Sequence, residues 1–212
     1  MIEQVVYTAV FGEYDAAKVK PAGWPGRFVC FTDHEVKLAG WENVVVERQH
    51  DDPRCESKRY KALPHRWFPG AVSLWIDGNA ELLKPPGELF ALLDGADVAL
   101  CKHPFSKTLA DEARLVIKLN KAPRDQVERQ MAQYARPDLP VGACGWILRR
   151  DTDCVRKFNE LWWEEMQHHT LRDQLSAPYC LDKADLEVRF LDLNIYKNKW
   201  IRLHRNLLRR GT

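Results

Sequence analysis

The sequence predicts an α/β fold, and three observations carry that expectation. Short apolar runs recur at 5–10, 28–31, 44–46, 72–76 and 98–101. Those runs are continuous rather than alternating, which is the pattern of strands in a sheet covered on both faces. Segments with helical spacing and recognisable ends separate them, as α/β architectures require. The pattern does not order the strands.

Taken in chain order, the first run ends in Thr8-Ala9-Val10-Phe11-Gly12, with Tyr14 and Asp15 following, and the second ends in Thr32-Asp33. Asp52 is placed to cap a helix whose first residue is Pro53. On that helix Lys58, Lys61 and His65 recur at helical spacing and, with Arg59, form the dense positive group before residue 77, although Pro64 interrupts the helix. It is either a phosphate-binding face or a solvated basic one. The run 72–76 leads into Asp77-Gly78-Asn79; Pro85-Pro86 opens a helix expected to stop near Gly95; the run 98–101 leads into His103-Pro104. Thr108 with Asp111 reads as a capping box, and Glu112 beyond it is expected to be exposed. A loop at 136–140 precedes a strand-like segment at 145–148, where Trp146 is expected in the core. From Asp151 to about His168, Val155, Phe158, Trp162 and Met166 should form one buried stripe. Arg172-Asp173-Gln174 can begin the next helix, and after Phe190 the chain is basic.

The 212 residues, 45% of them hydrophobic, permit one substantial core and are read as one domain over 1–212. Lysine and arginine number 32 against 30 acidic residues, so a net charge of +2 gives no global reason to expect a nucleic-acid partner or a polybasic membrane anchor. Six scattered cysteines without a Cys-x-x-Cys pair are expected to be reduced thiols. No apolar run approaches the roughly 18 residues a membrane span needs, and the start lacks signal-peptide character, so a cytoplasmic location is expected.

Chemistry concentrates where strands end, because α/β sheets place ligands beyond the carboxyl ends of their strands. At Asp77-Gly78-Asn79 two oxygen donors flank a glycine that permits close backbone approach, a pattern suited to Mn²⁺ or Mg²⁺ carrying substrate phosphates. The same triplet is equally good turn chemistry. His103 is either a polar contact for substrate or a structural histidine. Asp173 is a helix-start carboxylate with backbone donors around it. Cys144 has no activating neighbour in sequence, and His168 with Glu164 lacks the order of a zinc-protease motif, so neither thiol nor zinc catalysis is proposed.

The segments 6–15, 30–33, Arg59-Tyr60-Lys61 with Pro64-His65, 75–79, His103-Pro104 and 172–176 occur in one order. In this the chain resembles, over roughly residues 4–180, the glycosyltransferase-like domain family once catalogued as a domain of unknown function, with bacterial members and plant members linked to mucilage and pectin. The resemblance implies a GT-A-like, Rossmann-like mixed sheet flanked by helices on both faces. It implies a nucleotide-sugar donor, expected to be a uridine diphosphate sugar, and a carbohydrate or other hydroxyl acceptor. Thr8, Phe11, Tyr14, Thr32 and Asp33 would face base and ribose, and Arg59 and Lys61 the diphosphate. Asp77 and Asn79 would hold the cation, with His204 as a late third ligand by analogy; the competing reading of His204 is a surface tail. Asn79 stands where a second carboxylate is common, so the ion would need donor diphosphate to complete its shell. Asp173, Arg172, Gln174 and His103 would face the transferring sugar. Two other readings stay open: hydrolysis of an amide-containing lipid, since a plant member of that family is described as a ceramidase, and a non-catalytic nucleotide-sugar or glycan-binding module.

Overall fold

The computed structural model describes residues 2–12, 24–35 and 38–204. Tyr14 and Asp15, and the basic residues Arg205, Arg209 and Arg210, lie outside the described residues.

Nine strands are described, β1 (Gln4–Val10), β2 (Arg27–Thr32), β3 (Glu42–Val45), β4 (Val72–Ile76), β5 (Ala80–Leu82), β6 (Val98–Lys102), β7 (Gly142–Arg149), β8 (Val188–Leu191) and β9 (Ile201–Leu203). Seven form a sheet in the order β3-β2-β1-β4-β7-β6-β8, and β5 pairs with β9 in a separate ribbon. Within the large sheet β7 runs antiparallel to both neighbours, and the other pairings are parallel. The carboxyl ends of β1, β2, β4, β6 and β8 therefore share one edge with the amino end of β7. The mixed sheet covered on both faces is the architecture the sequence implied.

The helices are α1 (Pro53–Ala62), α2 (Gly87–Phe90), α3 (Leu109–Lys118), α4 (Arg124–Met131), α5 (Asp153–His168) and α6 (Asp173–Lys183). Tyr7, Phe31, Trp75 and Ile147 on one sheet face pack against Tyr60 of α1, Phe158 and Trp162 of α5, and Cys180 of α6. The opposite face buries Val6, Leu74, Leu148 and Trp146 under Leu89 and Phe90 of α2 and Trp200 and Ile201 at the ribbon. A third cluster joins α3 and α4 through Leu109, Val116 and Val127. Val155, Phe158, Trp162 and Met166 are all buried, as their spacing requires.

Local chemistry sets the expected ends. The Asp52 carboxylate accepts from the Arg54 amide with Pro53 at the first position, and Thr108 and Asp111 form a reciprocal capping box. Two expectations are corrected and one is refined. The helical stretch opened by Pro85-Pro86 stops near Gly95 as expected, but it is α-helix only over Gly87–Phe90; a 3-10 turn over Ala91–Leu93 completes it, ending on Asp94 in the left-handed region (φ 43°). The described part of the stretch after Phe190, residues 191–204, is no surface tail, because Ile195, Trp200 and Ile201 are core residues and β9 pairs with β5. Glu112 is buried, not exposed.

One buried cation positions the site. Arg149, at the end of β7, donates to the carbonyls of Lys61 (2.5 Å) and Ala62 (3.3 Å), to Asn159 Oδ1 (2.8 Å) and to the Tyr7 hydroxyl. It thus satisfies the last carbonyls of α1, which the helix itself leaves unpaired. Burial pushes the Tyr7 phenol up to about 12, against the pull of Arg149 and Lys61. The end of α1, and with it Lys61, is tied to the centre of the sheet.

Candidate active site at the carboxyl edge of the sheet

A cleft of about 800 Å³ opens over this edge, lined among others by Lys58, Asp77, Asn79, His103, Arg172, Asp173, Gln174 and His204. Four of them come from strand ends or the turns that follow, and three from the start of α6, so residues scattered over the sequence meet in one place.

The floor is a network of opposite charges. Lys61 donates to Asp173 Oδ2 (2.6 Å) and to Asp77 Oδ1 (3.0 Å), while Lys58 donates to the same Asp173 Oδ2 (2.5 Å). Lys61 and Asp173 are 1% and 4% exposed, so these charges are desolvated and depend on one another. Burial alone would raise the Asp173 carboxyl, but Lys58, Lys61 and Arg172 together hold it far below the usual carboxylate range. Burial lowers the Lys58 ammonium, against the pull of Asp173; Lys61, facing both carboxylates, is raised despite its burial. The Arg172 guanidinium donates to Gln174 Oε1 (3.0 Å), and its Nε has no hydrogen-bond partner. Pro178 lies inside α6 and has no N–H to give the Gln174 carbonyl one turn back.

The Asp77 loop is both a turn and a presented carboxylate. The backbone does not stay extended: the Ala80 amide donates to the Asp77 carbonyl (2.8 Å), closing a turn over Gly78 and Asn79, and the Asp77 amide donates to the Gly145 carbonyl (2.8 Å). Trp75 Nε1 donates to Asp77 Oδ1 (2.8 Å), the oxygen also held by Lys61. Asp77 Oδ2 has none of these contacts; it lies 3.7 Å from where a Cβ on Gly145 would stand, so the glycine keeps the space beside it clear. The β5–β9 ribbon brings His204 alongside: its amide donates to the Asn79 carbonyl (2.9 Å), and the Asn79 amide group donates to the His204 carbonyl (2.7 Å). The His204 imidazole pairs with Glu81 (2.7 Å).

The turn that Asp77 opens is thus joined at Asn79 to the backbone of His204, whose ring is turned to Glu81. Among the described residues no group of three or more His, Cys, Asp or Glu side chains is arranged to hold an ion by itself. A divalent ion beside Asp77 Oδ2 would take the His204 imidazole only in place of its Glu81 contact, and would need substrate oxygens for the remaining ligands.

His103 lines the same cleft. Its Nδ1 accepts from the Ser106 amide (2.9 Å), which leaves Nε2 as the protonated nitrogen of the neutral ring. Behind it Glu112 accepts from the Ser106 hydroxyl (2.6 Å) and lies 3.6 Å from Nδ1. Burial lowers the His103 pKa, partly opposed by Glu112.

Other expected residues are placed differently. Arg59 is buried and committed to Glu56 (2.5 Å), with its guanidinium over the Tyr60 ring; the α1 cations that line the cleft are Arg54 and Lys58, while Lys61 is buried against Asp77 and Asp173. His65, beyond the Pro64 break, pairs with Glu160 (2.9 Å). Phe11 packs on Tyr60, and Thr8 is buried with an unpartnered hydroxyl. Asp33 accepts from the Gly12 amide (3.0 Å) and pairs with Arg48 (3.2 Å), joining the ends of β1 and β2; Thr32 bonds locally to His34. All six cysteines are free, and burial pushes Cys144 up to about 12, which keeps it a neutral thiol beneath the site. Sequence reading missed the Trp75 indole that pins Asp77. Its position two residues before the carboxylate, hence on the same strand face, was the available signal.

The chain is 29% identical over 217 residues to a probable hexosyltransferase, MUCI70, of Arabidopsis thaliana; the match covers 84% of this chain and 37% of the plant protein. The family profile for the TOD1/MUCI70 glycosyltransferase-like domain matches residues 27–208, which include the Asp77 loop, the lysines of α1 and the start of α6. The chain belongs to the TOD1/MUCI70 glycosyltransferase-like domain family.

Proposed function

We propose that this protein is a glycosyltransferase that moves a sugar, in the manner of a hexosyltransferase, from a nucleoside diphosphate donor to a hydroxyl acceptor in the cleft over the sheet edge. The observation that carries this reading is the juxtaposition of Asp77, Lys58, Lys61 and Asp173, drawn from three segments, beside a third cationic side chain at Arg172. Departure of a diphosphate builds negative charge, and fixed cations in a desolvated site oppose that charge most effectively. A uridine diphosphate sugar is the expected donor. Mn²⁺ or Mg²⁺, when bound, would share the diphosphate charge; Asp77 through Oδ2, Asn79 and His204 are the residues that would hold it.

The chain's own groups do the rest. Asp173 stays ionised beside three cations, so it is no proton donor. It fixes the two lysine ammonium groups and offers negative charge near the anomeric centre. Gln174, at the first turn of α6, can bond sugar hydroxyls through its amide. His103, neutral at physiological pH with its proton on Nε2, is a hydrogen-bond donor at the acceptor side.

A thermal-shift series with nucleoside diphosphates and their sugars, with and without Mn²⁺, tests this reading. A ligand that binds only the folded state raises Tm by mass action. Stabilisation by one nucleotide that grows with Mn²⁺, followed by release or transfer of its sugar, supports transfer. Stabilisation without any sugar release would favour the non-catalytic module.

A further inference from the structure

We infer that Phe105 and Tyr196, with Leu119 beside them, form the platform on which a pyranose ring of an oligosaccharide acceptor lies. The inference rests on the glycosyl-transfer reading and extends it to the acceptor. Among the described residues the large apolar side chains left exposed are Ile2, Val45, Phe105, Leu119 and Tyr196; the last three, at 68%, 50% and 49% exposure, all line the one cleft. Single exposed apolar residues are ordinary, but three lining one cleft that also holds charged side chains mark a binding surface. They arrive from separate segments, the loop after β6, the end of α3 and the connection between β8 and β9, so chain proximity does not explain their meeting.

The chemistry selects the occupant. Phe105 and Tyr196 have ring centroids 6.3 Å apart inclined at 45°, and Phe105 stands 6.2 Å from His103. Inclined rings over hydrogen-bonding groups match a sugar, whose C–H face packs on aromatic carbon while its hydroxyls bond at the edge. A peptide would call for a groove with backbone partners or an unpaired strand edge, whereas His103 and Gln174 offer side-chain donors and acceptors. The platform lines the same cleft as Asp173 and Gln174, so a sugar lying on it shares that cleft with the charged floor.

Saturation-transfer NMR on the full chain decides the matter, using gluco-, galacto- and manno-oligosaccharides of three to six units as probes, with calorimetry of uridine diphosphate plus Mn²⁺ in parallel. At least one probe series is expected to bind the wild type. The double variant Phe105→Ala, Tyr196→Ala should bind it at least tenfold more weakly, and Phe105→Tyr should retain it, while nucleotide affinity stays within about twofold. Glycan binding lost in the double variant supports the platform even if no nucleotide binds, in which case transfer fails and the platform stands. Binding by none of the three series, or equal binding by the double variant, overturns it. So does a self-associated wild type that the double variant dissociates, since a second copy would then be the occupant.

Discussion

Asp173 carries more of the site than any other single residue, because two lysines share one of its oxygens. Asp173→Asn keeps the shape and removes the charge, so turnover should fall roughly a hundredfold with nucleotide affinity nearly unchanged, as for an interaction stronger in the transition state than in the ground state. The same change strands the Lys58 ammonium and leaves Lys61 with Asp77 alone, and should cost about 3 kcal/mol of stability. Adding Lys58→Met restores charge balance, so the double variant should regain stability in urea unfolding but not turnover in steady-state kinetics. Near-normal turnover in Asp173→Asn would end its catalytic assignment. At this scale the sequence was informative where position alone limits a residue's role, as with Asp77 after a strand and Asp173 at a helix start. It was uninformative for Glu112, whose burial depends on Ser106 and His103, brought to it by the loop after β6. Arg59 was misleading in another way: its partner Glu56 is one turn away, and the ion pair is buried only because Tyr60 and Trp67 close over it.

Among the elements, α3 offers a pH test with a definite sign. The backbone amide and hydroxyl of Thr108, with Arg114, hold the Asp111 carboxyl down to about 2. The unfolded value is near 4, so the unfolded chain binds more protons between these limits and the cap's contribution falls as pH drops through them. Asp111→Ala should therefore be less stable than the wild type at pH 6, with the gap narrowing toward pH 2; a gap independent of pH would remove Asp111 from the cap. Packing of β6 on β7 gives a second test. A Cβ on Gly142 would stand 1.8 Å from Leu100 Cδ1, so Gly142→Ala should destabilise by about 1–3 kcal/mol in denaturant unfolding. An unchanged midpoint would contradict that packing. The long apolar strands and capped helices were legible because each satisfies its own local rule. Elements that were not have no such rule: α4 reads RDQVERQM with two buried side chains, and β5 and β9 are three residues each, defined only by pairing with one another.

Across the whole molecule, the sheet order is what converts a set of strand-end residues into a site. Reversal of β7 places Gly145 beside Asp77, and the ribbon brings His204 back to Asn79, two juxtapositions that no pattern of apolar runs encodes. His204 should act through the ligand it helps to hold, not through the fold, since its side chain contacts Glu81 at a partly exposed position. His204→Ala should thus weaken nucleotide binding several-fold with Mn²⁺ present, leave Tm without ligand nearly unchanged, and have little effect without Mn²⁺. The central claim is that Asp77 presents one carboxylate oxygen to a nucleoside diphosphate and its cation while the other is pinned by Trp75 and Lys61. Asp77→Asn retains an acceptor for both donors and removes only the charge. Calorimetric titration of uridine diphosphate with Mn²⁺ into both proteins is the direct measurement: cation-dependent binding by the wild type, weakened at least tenfold in Asp77→Asn, is expected. Equal affinity in the two proteins, or a wild type whose binding ignores Mn²⁺, would contradict it.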